Sequence, residues 1–175
     1  MTSRKVANPS ACPSRTAPKF VIRIREDLNE AVAALAEIHH RSANSEMVQA
    51  IEAWFKNKDQ LELLKTILSS RLDPAAAVMA LSAPRLVPSQ PETKFVVRLL
   101  EGQRESIAAE SEARKTGRGT NKSISRVCMN DVANDILQWW VDVNQDLNAL
   151  FAACAKLKGG SKEALDVSVF MTSAA

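Results

Sequence analysis

The sequence has no tyrosine and only 5 glycines in 175 residues, and its long alanine and leucine stretches lean toward helix. Cysteine is scarce: Cys12, Cys128 and Cys154 lie far apart, are odd in number and form no CxxC pair. Neither a disulfide framework nor a zinc module is supported by that spacing. His39 and His40 are the only histidines, with no cysteine or carboxylate at ligand spacing, so no metal site is expected. No apolar run reaches the roughly 18–20 residues that a membrane span needs. The N-terminus lacks the apolar core of a signal peptide, and a soluble protein of the bacterial cytoplasm is expected. Acidic residues are missing from the first 25 positions, where Arg4, Lys5, Arg15, Lys19, Arg23 and Arg25 stand. A basic arm entering folded structure points to a polyanionic partner more strongly than the net charge of +3 does.

What is present is a core-forming 46% of apolar residues and an internal repeat. KFVIRIREDLNEAVAALAE (19–37) aligns with KFVVRLLEGQRESIAAESE (94–112) at a constant shift of 75, with nine identities in nineteen positions and no gap. Each copy opens with a strand pattern. Phe20, Ile22 and Ile24 alternate with Lys19, Val21 and Arg23, and Phe95, Val97 and Leu99 alternate with Lys94, Val96 and Arg98. The period of two sends one set to the core and leaves Lys-Val-Arg on the other face, twice.

Helical periodicity follows each strand. Asp27 with Glu30 reads as a variant capping box, before a stripe of Leu28, Ala31, Val32, Leu35 and Ile38. A turn at 39–42 leads into a second helix with Met47, Ala50, Ile51, Trp54 and Phe55 on one face, capped by Ser42 or Asn44. Leu61, Leu64, Ile67 and Leu68 suggest a further helix to about residue 71, and Asp73-Pro74 opens a short one. Pro84, Pro88 and Pro91 mark a linker. The second copy has Ile107 as its anchor, a longer turn RKTGRGTN (114–121), and a helix carrying Ile124, Val127, Cys128, Val132 and Ile136. That helix continues through Trp139/Trp140, Val143, Leu147, Leu150/Phe151 and Cys154 to Gly159-Gly160. Beyond it, VSVF (167–170) could add an edge strand. The aromatic residues Trp54, Phe55, Trp139 and Trp140 read as core or oligomer contacts rather than base-stacking groups.

One strand with two helices is too small to fold alone, so two copies must share a core. The expected fold is mainly α with a short antiparallel β-ribbon. Such a ribbon exposes Lys19, Val21, Arg23, Lys94, Val96 and Arg98 together, fits the major groove, and can donate to guanine O6 and N7. The helix starts at Ser42–Asn44 and Thr120–Asn121 offer N–H groups and a positive dipole end to phosphate.

KFVIRIREDLNEAVAALAEIHHRSANSEMVQAIEAWF, with RSANSE (41–46) as its most specific piece, resembles the Arc/Mnt-type ribbon-helix-helix DNA-binding family. The resemblance implies a tandem pair of modules forming a pseudo-dimer. It places Lys19, Val21 and Arg23 on base edges, with Ser42, Ala43 and Asn44 on the phosphate backbone. Lys94, Val96 and Arg98 repeat the first set, and Thr120 and Asn121 the second. Arg41 and Glu46 match two members of the family's buried Arg–Glu–Arg triad, but the third position is Ala50. The middle strand residue is valine where the family often has a polar one, which suits a thymine methyl. In the second copy, Asn121 opposite Asn44 needs two extra turn residues and is the preferred register; matching Trp139-Trp140 to Trp54-Phe55 needs ten.

The expected organisation is a basic disordered arm (1–17), a first module (18–56), a helix and Pro-rich linker (57–92), a second module (93–140), an extended amphipathic helix (141–158) and a flexible tail (159–175). The function implied is a sequence-specific transcriptional repressor of phage or plasmid type acting on double-stranded DNA. A transfer-origin accessory protein, an antitoxin, or a protein-binding inhibitor that kept the fold are the other readings. No catalytic arrangement, cofactor or small-molecule substrate is expected. The stripe of the last helix, with Val143, Leu147, Leu150, Phe151 and Cys154, is expected to join copies into a homo-oligomer.

Overall fold

The computed structural model describes residues 19–82, 92–116 and 127–157. Its elements are β1 (Lys19–Arg25), α1 (Glu26–Ile38), α2 (Ala43–Ser69), α3 (Pro74–Leu81), β2 (Glu92–Arg98), α4 (Gln103–Thr116) and α5 (Met129–Leu157). The basic arm, the proline linker, Thr120, Asn121, Ile124 and VSVF lie outside the described residues.

β1 and β2 pair antiparallel within the one chain, with Lys19 opposite Arg98, Val21 opposite Val96 and Arg23 opposite Lys94. Ile22, Ile24 and Val97 are fully buried, as the alternation requires, and Leu99 just past β2 joins them. The helices pack against that inner face.

α1 starts without a side-chain cap. Arg25 is its N-cap residue, and the Asp27 carboxylate accepts from Arg25 Nε at 3.3 Å rather than forming a capping box with Glu30. Glu26 and Asp27 still favour the positive end of the helix. Of the expected stripe, Leu28 and Val32 are buried but Ile38 is 64% exposed, because the helix ends there; Ala36 is buried in its place. The end is a six-residue wrap: Arg41 N–H donates to Ala36 O (2.9 Å) and His40 N–H to Glu37 O (3.1 Å), with His40 at φ 53°.

α2 departs from the expectation of two helices. It runs unbroken for 27 residues, about 40 Å. Its first half buries Met47, Ala50, Ile51 and Ala53, while Phe55 stays 38% exposed. Its second half turns Leu61, Leu64 and Leu68 toward α5. Asp73 caps α3 by accepting from Ala76 N–H at 3.0 Å, with Pro74 at the first helical position.

α5 is the spine of the molecule. It touches α2 along its length and α3, α4, α1 and β1 besides. The stripe expected to be open for assembly is covered within the chain: Val143, Leu147 and Leu150 are buried, with Phe151 and Cys154 half-buried. The reason is the length of α2. Because it does not stop near residue 56, its second half lies along α5. There Glu62 Oε1 accepts from Trp139 Nε1 (3.0 Å), Lys65 Nζ reaches Asp146 (3.5 Å), and Cys154 Sγ approaches Leu68 O (3.8 Å).

Candidate nucleic-acid interface

Lys19, Val21, Arg23, Lys94, Val96 and Arg98 all lie on the exposed face of the ribbon. The register arranges them as three rungs, Lys19–Arg98, Val21–Val96 and Arg23–Lys94. A two-fold axis through the central rung exchanges Lys19 with Lys94, Val21 with Val96 and Arg23 with Arg98. Both valines are about half-exposed, at 55% and 50%, although nothing polar accompanies them on that rung.

A two-stranded ribbon has two open edges, whose unpaired backbone groups need partners. Asparagines from the long helices supply them. Asn44 Oδ1 accepts from Arg98 N–H at 2.8 Å. On the opposite edge Asn130 Oδ1 accepts from Arg23 N–H (2.7 Å), and Asn130 Nδ2 (3.1 Å) and Asn134 Nδ2 (2.8 Å) both donate to Arg23 O. The side chains at 23 and 98 therefore project from backbone that is tied down on its outer side. The first turns of α2 and α5 are thereby held beside opposite ends of the ribbon.

These bonds also fix the register of the second copy. Asn130 stands 86 residues after Asn44 while the strands repeat at 75, so the turn is eleven residues longer. The register built on Asn121 is corrected, and the alternative with ten extra residues misses by one. Burial follows the new register: Met47, Ala50 and Ile51 correspond to Ala133, Ile136 and Leu137, all buried, and Trp54 corresponds to Trp140. Cys128, Met129 and Asn130 thus take the places of Ser42, Ala43 and Asn44.

The two helix starts differ chemically. Ser42 has extended backbone and its Oγ accepts from Ser45 N–H at 3.1 Å, leaving the Ala43 and Asn44 N–H groups without intrahelical acceptors. At α5 the Asp131 carboxylate reaches back to Cys128 N–H at 2.8 Å.

Beneath the start of α2 lies Glu46, fully buried. Its Oε1 accepts from Trp140 Nε1 (2.7 Å) and contacts His39 Nδ1 (2.9 Å), while Oε2 faces Arg41 Nε at 3.4 Å. With Ala50 in the third triad position, His39 and a tryptophan from the second copy surround the carboxylate. Sequence reasoning missed this, and missed Asn130, Asn134 and Asp131. The signal that could have found them was pairing Trp54 with Trp140 rather than with Trp139.

A two-stranded ribbon presenting basic and apolar side chains, its edges anchored by the starts of two helices, is the architecture of a ribbon-helix-helix DNA-binding protein. Residues 14–62 match the family model of the Arc-like DNA binding domain. It is also similar to the transcription factor AmrZ of Pseudomonas ogarae, 43% identical over 60 residues. That stretch is 34% of this chain and 53% of AmrZ, so the chain spans about half the length of this curated relative. No solved structure matches the chain significantly. Among the described residues no helix is long and apolar enough to cross a membrane.

Proposed function

We propose that the protein is a sequence-specific DNA-binding transcriptional repressor of phage or plasmid type, working in the bacterial cytoplasm. It reads the major groove with the β1–β2 ribbon. Lys19, Arg23, Lys94 and Arg98 donate to base edges, Val21 and Val96 contact thymine methyl groups, and Ser42, Ala43 and Asn44 meet the phosphate backbone. In the second module Cys128, Met129 and Asn130 take the backbone role first given to Thr120 and Asn121. The observation that carries this reading is the two-fold arrangement of six exposed residues on one ribbon. The Arc-like match and the likeness to a transcription factor support it.

On this reading the chain is a tandem pair of modules, 18–56 and 93–140, that share one core as a pseudo-dimer. The α5 stripe first expected to join copies is buried, so any association between copies uses other apolar groups. Leu63 and Ile67 on α2 and Val78 and Met79 on α3 are among the exposed ones.

The test is a mobility-shift titration on a site selected from random duplexes, with random-sequence competitor. Arg23→Ala and Arg98→Ala should each weaken specific binding by about 1–3 kcal/mol and relax the preference at one base pair. Unchanged affinity and preference in both variants would remove the ribbon as the reading surface.

A further inference from the structure

At Arg23 both backbone groups face α5. The N–H donates to Asn130 Oδ1 at 2.7 Å, and the carbonyl accepts from Asn130 Nδ2 at 3.1 Å and from Asn134 Nδ2 at 2.8 Å. The Asn130 amide alone would match that edge, since it brings one acceptor and one donor to one N–H and one carbonyl. Asn134, one turn further along α5, adds a second and shorter bond to the same oxygen.

The other Nδ2 hydrogen of Asn134 goes to Asn130 O at 2.9 Å. Both of its partners are carbonyl oxygens, so only the NH2 end of the side chain can face them. Asn134 Oδ1 is thereby turned away from them, and among the described residues it is buried with no hydrogen-bond partner. A buried acceptor left unmatched costs stability. The fold has another residue for such a place. The offset of 86 that pairs Asn130 with Asn44 pairs Asn134 with Val48, which packs against the core. A valine therefore fits the equivalent turn of the other long helix.

We infer that Asn134 is a positioning residue for base reading: it fixes the Arg23 backbone so that the Arg23 side chain meets its base in one geometry. This rests on the DNA-reading function proposed above. The guanidinium stands at the end of a long side chain, so a small rotation of the backbone at Arg23 swings it off a bidentate contact with a base edge. With Asn130 alone the strand can pivot about a single amide. Two donors from successive turns of α5 remove that freedom, and the unmatched Asn134 Oδ1 is the cost of the alignment. Asn134 touches no base in this account; it acts through Arg23.

The test is a double-mutant cycle read by mobility shift on the selected duplex. Asn134→Val should weaken specific binding about fivefold, the worth of one net hydrogen bond, and leave binding to random duplex within about twofold of the wild type. In an Arg23→Ala background the same substitution should cost less than about twofold, because no guanidinium remains to be aligned. In an Arg98→Ala background it should keep its full cost. If Asn134→Val melts early, Asn134→Ala, which adds no branched bulk beside Arg23, goes through the same cycle. A merely structural asparagine would cost the same in all three backgrounds, and that result would overturn the inference. So would an unchanged affinity of Asn134→Val where Arg23→Ala does weaken binding. A wild-type chain that binds no duplex, or Arg23→Ala and Arg98→Ala variants that both bind as the wild type does, would instead overturn the proposed function.

Discussion

His40 holds a left-handed backbone, φ 53°, at the residue after the α1 cap, where the six-residue wrap demands it. Glycine meets that demand without the Cβ clash that histidine suffers. His40→Gly should raise stability by about 0.5–1 kcal/mol in urea unfolding, with no change in DNA binding. Glu46 shows the opposite economy at the same scale. A buried carboxylate is costly unless its oxygens are matched, and here Trp140 Nε1 at 2.7 Å supplies a donor from the far half of the chain. The start of α2 and the middle of α5 are therefore fixed to each other through one atom. RSANSE was legible as a motif, and so was the alanine at its third triad position, but the group that fills the space was not. Nothing local to Ala50 says that a tryptophan 90 residues downstream will fill the space.

Among the elements, the strands and first helices were readable because nine identical residues keep one spacing in both copies. The second helices were not, since the eleven-residue insertion moves them out of step and few identities survive to mark the move. The length of α2 was legible, because its leucine spacing continues past residue 56 with no glycine or proline to stop it. That extra length creates a polar clasp on α5. Burial would raise the Glu62 carboxyl, but hydrogen bonds from Lys65 and Trp139 and the charges of Lys65 and Lys58 hold it below its ordinary 4.5. Burial likewise works against the Lys65 charge, and Glu62 and Asp146 outweigh it, raising Lys65 above 10.5. Glu62 thus contributes stability that is present above 4.5 and lost as pH falls through its lowered value. Lys65 contributes below 10.5 and loses its share as pH rises through its raised value. Glu62→Gln should flatten the acid-side fall of the melting temperature between about pH 5 and pH 3, followed by circular dichroism. Leu147 lies on the same contact at 1% exposure, so Leu147→Asp buries an unpaired charge. It should destabilise the fold by on the order of 3–5 kcal/mol rather than merely separate copies, which a melting curve will distinguish from a change in sedimentation alone.

At the scale of the molecule, the return of β2 to β1 in the same chain is the central fact. Val21 and Val96 face each other across the ribbon. In a background where Cys12, Cys128 and Cys154 are serine, Val21→Cys with Val96→Cys should give a crosslinked species that migrates as a monomer in denaturing gels. Crosslinked dimers as the main product would mean that strands are exchanged between chains. A two-chain ribbon must assemble before it can read anything, so its occupancy follows the square of a scarce subunit's concentration and vanishes on dilution. A ribbon closed within one chain escapes that dependence. On the proposed function, each polypeptide is then competent once folded, and a fall in copy number lowers occupancy only in proportion.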